Sequence, residues 1–85
     1  PNHVALVGKN PTPAKLSRLL SAPVKRYIVT VEPEAEGTML ALADKLLAAG
    51  KQVVVWKYDE GDPAEAEPSY KGEYNFKTKI QLLLS

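Results

Sequence analysis

The residues best suited to chemistry in this 85-residue sequence are the three carboxylates of the segment Glu32-Pro33-Glu34-Ala35-Glu36-Gly37. The segment follows a β-branched run, residues 27–31, and opens a stretch with apolar residues at helical spacing. In an open α/β sheet, ligands bind outside the carboxyl ends of the strands. Glu32 and Glu34 could therefore face one hard cation such as Mg²⁺, which prefers oxygen ligands and keeps several waters. A simpler interpretation stays open, in which Glu34 and Glu36 complement the positive end of the following helix.

Three more residues are candidates for the same site. Asp62 lies in a long acidic loop, residues 58–69, after the third predicted strand, so we expect it at the same edge as Glu32 and count it as a third metal ligand. The turn Gly8-Lys9-Asn10 follows the first predicted strand, and its composition would suit a phosphate contact from Lys9. Arg18, on the helix after that turn, is a second phosphate candidate on the basis of its charge.

Composition excludes several other kinds of site. The sequence has no cysteine and a single histidine, which excludes a disulfide framework, a thiolate metal site and a His-rich zinc site. Its apolar stretches are too short to span a bilayer and no signal-peptide pattern opens it, so we expect a cytoplasmic protein without a membrane partner. The net charge of +1 is unevenly distributed: residues 1–31 hold five basic residues and no acid, whereas residues 32–70 hold nine acids. Such asymmetry is compatible with nucleic acid as a partner.

The spacing of apolar residues and turn signals predicts a βαβαβ order in a single domain over residues 1–85. Right-handed crossovers should arrange the strands in parallel with the second in the centre, and the third strand is apolar on both sides, as if helices covered both faces. We therefore predict a small three-layer α/β domain in which Trp56 packs in the core. The expected elements are strands Val4–Val7, Tyr27–Val31 and Val53–Lys57 and helices Pro13–Ser21 and Gly37–Ala49.

The C-terminal segment, residues 72–84, allows two interpretations. As a strand, it alternates apolar and polar residues from Tyr74 to Leu84, and periodicity slightly favours this reading. As a helix, it places Phe76, Ile80, Leu83 and Leu84 on one face. Unpaired sheet edges and apolar surface also lead us to expect self-association, or a partner chain that completes the sheet.

The order of these features resembles the later part of a Toprim domain, the metal-dependent module of bacterial and phage primases and of topoisomerases. That family has a strand ending in a glycine turn, a short helix, a strand ending in Asp-x-Asp-x-x-Gly, a helix closing on glycine, and an apolar strand followed by a Gly-x-Asp-Pro loop. The corresponding segments here are Val4 to Gly8, Thr12 to Ser21, Glu32 to Gly37, Gly50, Val53 to Trp56 and Gly61-Asp62-Pro63. The resemblance implies Mg²⁺ binding, a role in DNA replication, and a helix rather than a strand over residues 72–84.

Two departures from the family pattern bear on activity. The paired aspartates of the family are replaced here by Glu32 and Glu34, whose carboxylates lie one methylene further from the backbone and should loosen a Mg²⁺ site. The resemblance also implies a catalytic glutamate on an earlier strand, yet no acid precedes Glu32. We therefore expect a domain fragment lacking the first strand-helix unit, inactive by itself and with no catalytic residue of its own. Two alternatives stay open: a catalytically silent folding or interaction module, and a small α/β phosphate- or nucleotide-binding domain.

Overall fold

A computed structural model describes residues 4–59 and 67–84 of the protein. Within them the elements follow one another as a strand-helix-strand-helix-strand series with a strand and a helix added after it. The elements are β1 (Val4–Val7), α1 (Pro13–Ser21), β2 (Arg26–Val31), a 3₁₀ turn (Pro33–Ala35), α2 (Glu36–Ala48), β3 (Gln52–Lys57), β4 (Tyr70–Glu73) and α3 (Phe76–Leu84). The molecule is thus a small α/β protein, as the sequence predicted.

Local chemistry fixes the start of α1 and the end of α2. Thr12 caps α1 by accepting the Lys15 N–H at 3.3 Å, and Pro13 occupies the first helical position, where its missing N–H costs nothing. At the end of α2, Gly50 takes a φ of 81°. There the Gly50 N–H donates to the Leu47 carbonyl and the Lys51 N–H to the Leu46 carbonyl, which are the paired bonds of a Schellman cap.

The strands form one four-stranded sheet in the order β1-β2-β3-β4. The first three are parallel, with Val7 opposite Val29 and Val29 opposite Val55, so the prediction that β2 lies between β1 and β3 is confirmed. β4 pairs antiparallel with β3 and makes the sheet mixed. β4 was not predicted from the sequence as a separate strand.

The hydrophobic core lies on one face of the sheet. The side chains that alternate onto this face include Tyr27, Val29, Val53 and Val55, all at most 1% exposed. They pack with the apolar faces of α1, α2 and α3, and the Tyr27 hydroxyl donates to the Leu19 carbonyl of α1 at 2.5 Å. The physical reason is the strand order: two right-handed crossovers that advance in the same direction bring both helices to the same side of the sheet.

The predicted three-layer arrangement is therefore not confirmed, and the prediction that Trp56 packs in the core is wrong. Trp56 alternates onto the opposite face, where it is only partly buried and the Lys71 ammonium lies 4.4 Å from the ring centroid. Of the two interpretations of residues 72–84, the helix is confirmed from residue 76 onward, whereas the strand applies only to residues 72 and 73 at the end of β4. Residues 76–84 form α3, whose Leu82 joins the core.

Candidate metal and phosphate site at the carboxyl edge

Three loops leave the sheet at the carboxyl ends of its parallel strands. The Gly8-Lys9-Asn10 turn follows β1, Glu32 follows β2, and Tyr58 follows β3. The Tyr58 N–H donates to the Val31 carbonyl at 2.8 Å, which extends the pairing of β2 and β3 by one bond beyond the strands. This carboxyl edge is where the sequence analysis placed the candidate site, and it carries both Lys9 and the acidic segment.

The acidic segment begins in extended conformation and then tightens into the 3₁₀ turn. Glu32 has φ −98° and ψ 156°, and Pro33 starts the turn. The Ala35 N–H closes it by donating to the Glu32 carbonyl at 3.1 Å. Glu32 is half-buried and Glu34 is exposed, so the two carboxylates differ in their access to solvent although they lie on one short turn.

Glu36 stands apart from the other two acids. It is the first residue of α2, where a negative side chain complements the positive end of the helix. One of its carboxylate oxygens lies 3.9 Å from the Lys57 ammonium at the end of β3. Within residues 4–59 and 67–84, Glu36 is the one acid of the segment that forms an ion pair. Glu32 and Glu34 form no ion pair with any described residue.

The structure limits what kind of metal site this edge offers. No cluster of three or more His, Cys, Asp or Glu residues able to hold a metal ion occurs in the described part of the chain. Asp62, the predicted third ligand, lies outside the described residues. Glu32 and Glu34 by themselves suit an ion that keeps most of its water, because Mg²⁺ is commonly bound by one or two carboxylates together with substrate phosphates.

The two phosphate candidates lie at different ends of the sheet. Lys9 is exposed in the turn after β1, and that turn lies close to β2, because a Cβ on Gly8 would be 3.4 Å from the Thr30 hydroxyl oxygen. Arg18 belongs to the last turn of α1, which runs from the carboxyl edge back toward the start of β2. Lys9 therefore lies at the same edge as the acidic segment, whereas Arg18 lies toward the opposite end of α1.

Several polar contacts escaped the sequence analysis because they join residues far apart in the chain. Lys57 reaches Glu36 only because β2 and β3 are in register at Val31 and Lys57. The Lys51 ammonium donates to the carbonyls of Ala22 and Val24, both at 2.9 Å, and so holds the exit of α1 against the start of β3. One signal for the Lys51 contact was available in the sequence. Lys51 directly follows Gly50, the glycine cap of α2, and a residue at that position lies beside the other chain segments at the same edge of the sheet.

Comparisons with protein-family models, with curated proteins and with solved structures found no significant match to this chain. The fold and the carboxyl edge together define a small α/β domain with an acidic turn after its second parallel strand. Among the helices within residues 4–59 and 67–84, none has the length and apolar character needed to cross a membrane.

Proposed function

We propose that this protein is a Toprim-like domain of the primase type that binds a hydrated Mg²⁺ ion between Glu32 and Glu34 and presents it to nucleic-acid phosphates. The observation that supports the proposal most directly is the charge pattern of the acidic turn. Glu36 is compensated by Lys57, whereas Glu32 and Glu34 form no ion pair with any described residue. Two carboxylates that are two residues apart and form no ion pair attract a divalent cation.

The chain's own residues would do two things at this edge. Glu32 and Glu34 would hold the ion by one oxygen each and leave its remaining positions to water and phosphate oxygens. Lys9, exposed at the same edge, would contact a neighbouring phosphate. The ion would supply charge neutralisation during phosphoryl transfer. The longer glutamate side chains make this site looser than one built from aspartates, so we expect dissociation constants on the order of millimolar.

The metal half of the proposal is tested by NMR. Mn²⁺ added to ¹⁵N-labelled protein should broaden the amide signals of residues 32–37 at low occupancy, and Mg²⁺ should compete and restore them. The double variant Glu32→Gln and Glu34→Gln should lose the effect, because neutral amides bind divalent cations far more weakly. Glu73→Gln, which removes an exposed acid from β4, is the matched control and should leave it unchanged. Broadening that survives the double substitution would contradict the assignment.

The phosphate half is tested separately with single-stranded oligonucleotides and with nucleotides, each titrated with and without Mg²⁺. Binding should strengthen when Mg²⁺ is present and weaken in Lys9→Ala. Lys45→Ala, an exposed lysine in the last turn of α2, should behave as wild type. Nucleotide binding that is equally strong without Mg²⁺ would instead support the alternative of a metal-independent phosphate site around Gly8-Lys9-Asn10.

A further inference from the structure

The face of the sheet opposite the core is an apolar surface that the proposed function does not use. Val4 is 50% exposed and Leu6 is 66% exposed on β1, and the alternation of β2 and β3 adds the partly buried Ile28, Val54 and Trp56. These five side chains, which we call the open face, lie on neighbouring strands in register. None of α1, α2 and α3 covers them, because all three helices pack on the other side.

We propose that the open face is the contact surface of a symmetric dimer, in which the open faces of two copies of this chain pack against each other. Sheets that pack face to face lie about 10 Å apart and interdigitate their apolar side chains. A two-fold axis requires the same patch on both copies to be complementary to itself. The charges that border the open face satisfy this requirement.

Arg26 and Glu73 provide that complementarity. Both line an open groove of about 360 Å³ at the amino end of the parallel strands, together with Gln52 and Val54. Arg26 donates from Nε to Oε1 of Gln52 at 3.2 Å, and it forms no ion pair with Glu73 within the chain. Across a two-fold axis, Arg26 of each copy would therefore face Glu73 of the other, and both pairs would form at once.

The composition of the open face favours a protein surface over nucleic acid as its occupant. Its most exposed members, Val4 and Leu6, are aliphatic and offer nothing for a base to stack on. The aromatic ring, Trp56, already carries the Lys71 ammonium 4.4 Å from its centroid, and a stacked base would have to displace that cation. Two copies in contact would keep the Trp56–Lys71 interaction and bury the aliphatic side chains.

The size of the open face predicts a weak dimer. Four strands about 4.8 Å apart, with roughly five residues each at about 3.3 Å per residue, give a projected face of roughly 300 Å². Standard interfaces bury about 800 Å² of accessible surface per partner. An interface smaller than this standard size, with two ion pairs at its border, should have a dissociation constant on the order of tens of micromolar.

Sedimentation velocity from about 5 to 500 µM should show a monomer that converts to a dimer as concentration rises. The emission of Trp56, the only tryptophan in the sequence, should shift to the blue over the same range. Leu6→Lys should weaken dimerisation at least about tenfold, because it brings two charges into the contact. Phe76→Lys is the matched control: Phe76 is 81% exposed on α3, and its substitution should change nothing.

Charge exchange tests the symmetry itself. Arg26→Glu and Glu73→Arg should each dimerise poorly alone, because like charges would meet at both of the symmetry-related contacts between positions 26 and 73. A mixture of the two variants should form a heterodimer, since each then supplies the charge that the other lacks. Glu32→Gln with Glu34→Gln should dimerise as wild type, so failure of the metal site and failure of the dimer are distinguishable.

Three outcomes would overturn the proposal. The first is a strictly monomeric protein at the highest concentration. The second is self-association that Phe76→Lys abolishes and Leu6→Lys does not, which would assign the contact to α3. The third is single-stranded oligonucleotide binding, by a protein that stays monomeric, that Leu6→Glu abolishes and Lys9→Ala does not, which would assign the open face to nucleic acid. Circular dichroism of each variant verifies that it is folded.

Discussion

The hydroxyl of Tyr74 donates a hydrogen bond to Oδ1 of Asp44 at 2.9 Å. The Lys79 ammonium lies 2.7 Å from Oδ2 of the same carboxylate. Asp44 belongs to α2, Tyr74 follows β4, and Lys79 lies on α3. One carboxylate therefore joins α2 to the C-terminal strand and helix, and Tyr74 itself is 1% exposed. Two predictions depend on this relationship.

Tyr74→Phe should lower the free energy of unfolding by about 1–2 kcal/mol, because it removes the hydroxyl that donates to the charged Asp44 carboxylate. The value lies toward the low end for such bonds because the Asp44 side chain is 40% exposed and water can replace the donor. Urea denaturation followed by circular dichroism measures the change. Tyr70→Phe is the control, since its hydroxyl is 3.4 Å from the Glu73 carbonyl and should contribute little. Equal effects of the two substitutions would contradict the prediction.

Stability should fall at alkaline pH. Burial, reinforced by the hydrogen bond and the negative charge of Asp44, raises the pKa of Tyr74 above its ordinary value of 10.0, and burial raises the pKa of Tyr27. The folded state thus favours the neutral phenols, while the unfolded chain ionises them near pH 10. The contribution of the two tyrosines to the free energy of unfolding is complete below pH 10. Above pH 10 it decreases, by up to about 1.4 kcal/mol per pH unit for each tyrosine.

Denaturation series between about pH 8 and pH 11.5 test this dependence. Because Tyr74→Phe removes one of the two groups, its stability should fall less steeply above pH 10 than that of the wild-type protein. Parallel curves for the two proteins would show that Tyr74 does not titrate as proposed.

Two glycines should respond oppositely to alanine. Gly50 has a φ of 81°, so Gly50→Ala should cost about 1 kcal/mol of stability through backbone strain alone, as a Cβ there meets no atom within 4 Å. Gly37 lies in the first turn of α2 with similarly open space around it. Gly37→Ala should leave stability unchanged or raise it by up to about 1 kcal/mol, because alanine favours helix. Thermal unfolding of both variants gives the comparison, and a stabilised Gly50→Ala would refute it.

The 85-residue chain should show no primer synthesis. The Toprim resemblance implies a glutamate general acid/base on a strand before the acidic motif, and β1 carries no acid. Loss of such a group typically costs on the order of 10²–10⁴ in rate, and the lengthened carboxylates of Glu32 and Glu34 add to the deficit. A priming assay on single-stranded template with Mg²⁺ or Mn²⁺ checks this. The variant Glu32→Asp with Glu34→Asp should be silent too, and metal-dependent product from the unmodified chain would overturn the prediction.

The candidate site was predictable only in part. The sequence placed Glu32, Glu34 and Lys9 at one edge, because the carboxyl ends of parallel strands share an edge and each residue directly follows a strand. It could not show that Glu36 pairs with Lys57, since that contact depends on the register of β2 and β3. Nor could it place Arg18, whose distance from the edge is set by the direction of α1.

The sequence by itself determined the local elements and the parallel order of β1, β2 and β3. The signals that start and end the helices act within a few residues, so helix bounds can be predicted without knowledge of the fold. These signals are Thr12-Pro13, Gly50 and the apolar spacing of α2. The tertiary structure decided which face of the sheet is covered, because β3 is apolar on both sides and only the crossovers select one. It also decided β4, a four-residue strand that includes Gly72 and forms against the free edge of β3. Trp56 lies outside the core for the same reason. The alternation of side chains along β3 places Trp56 on the face opposite to Val55, but it does not indicate which of the two faces the helices cover.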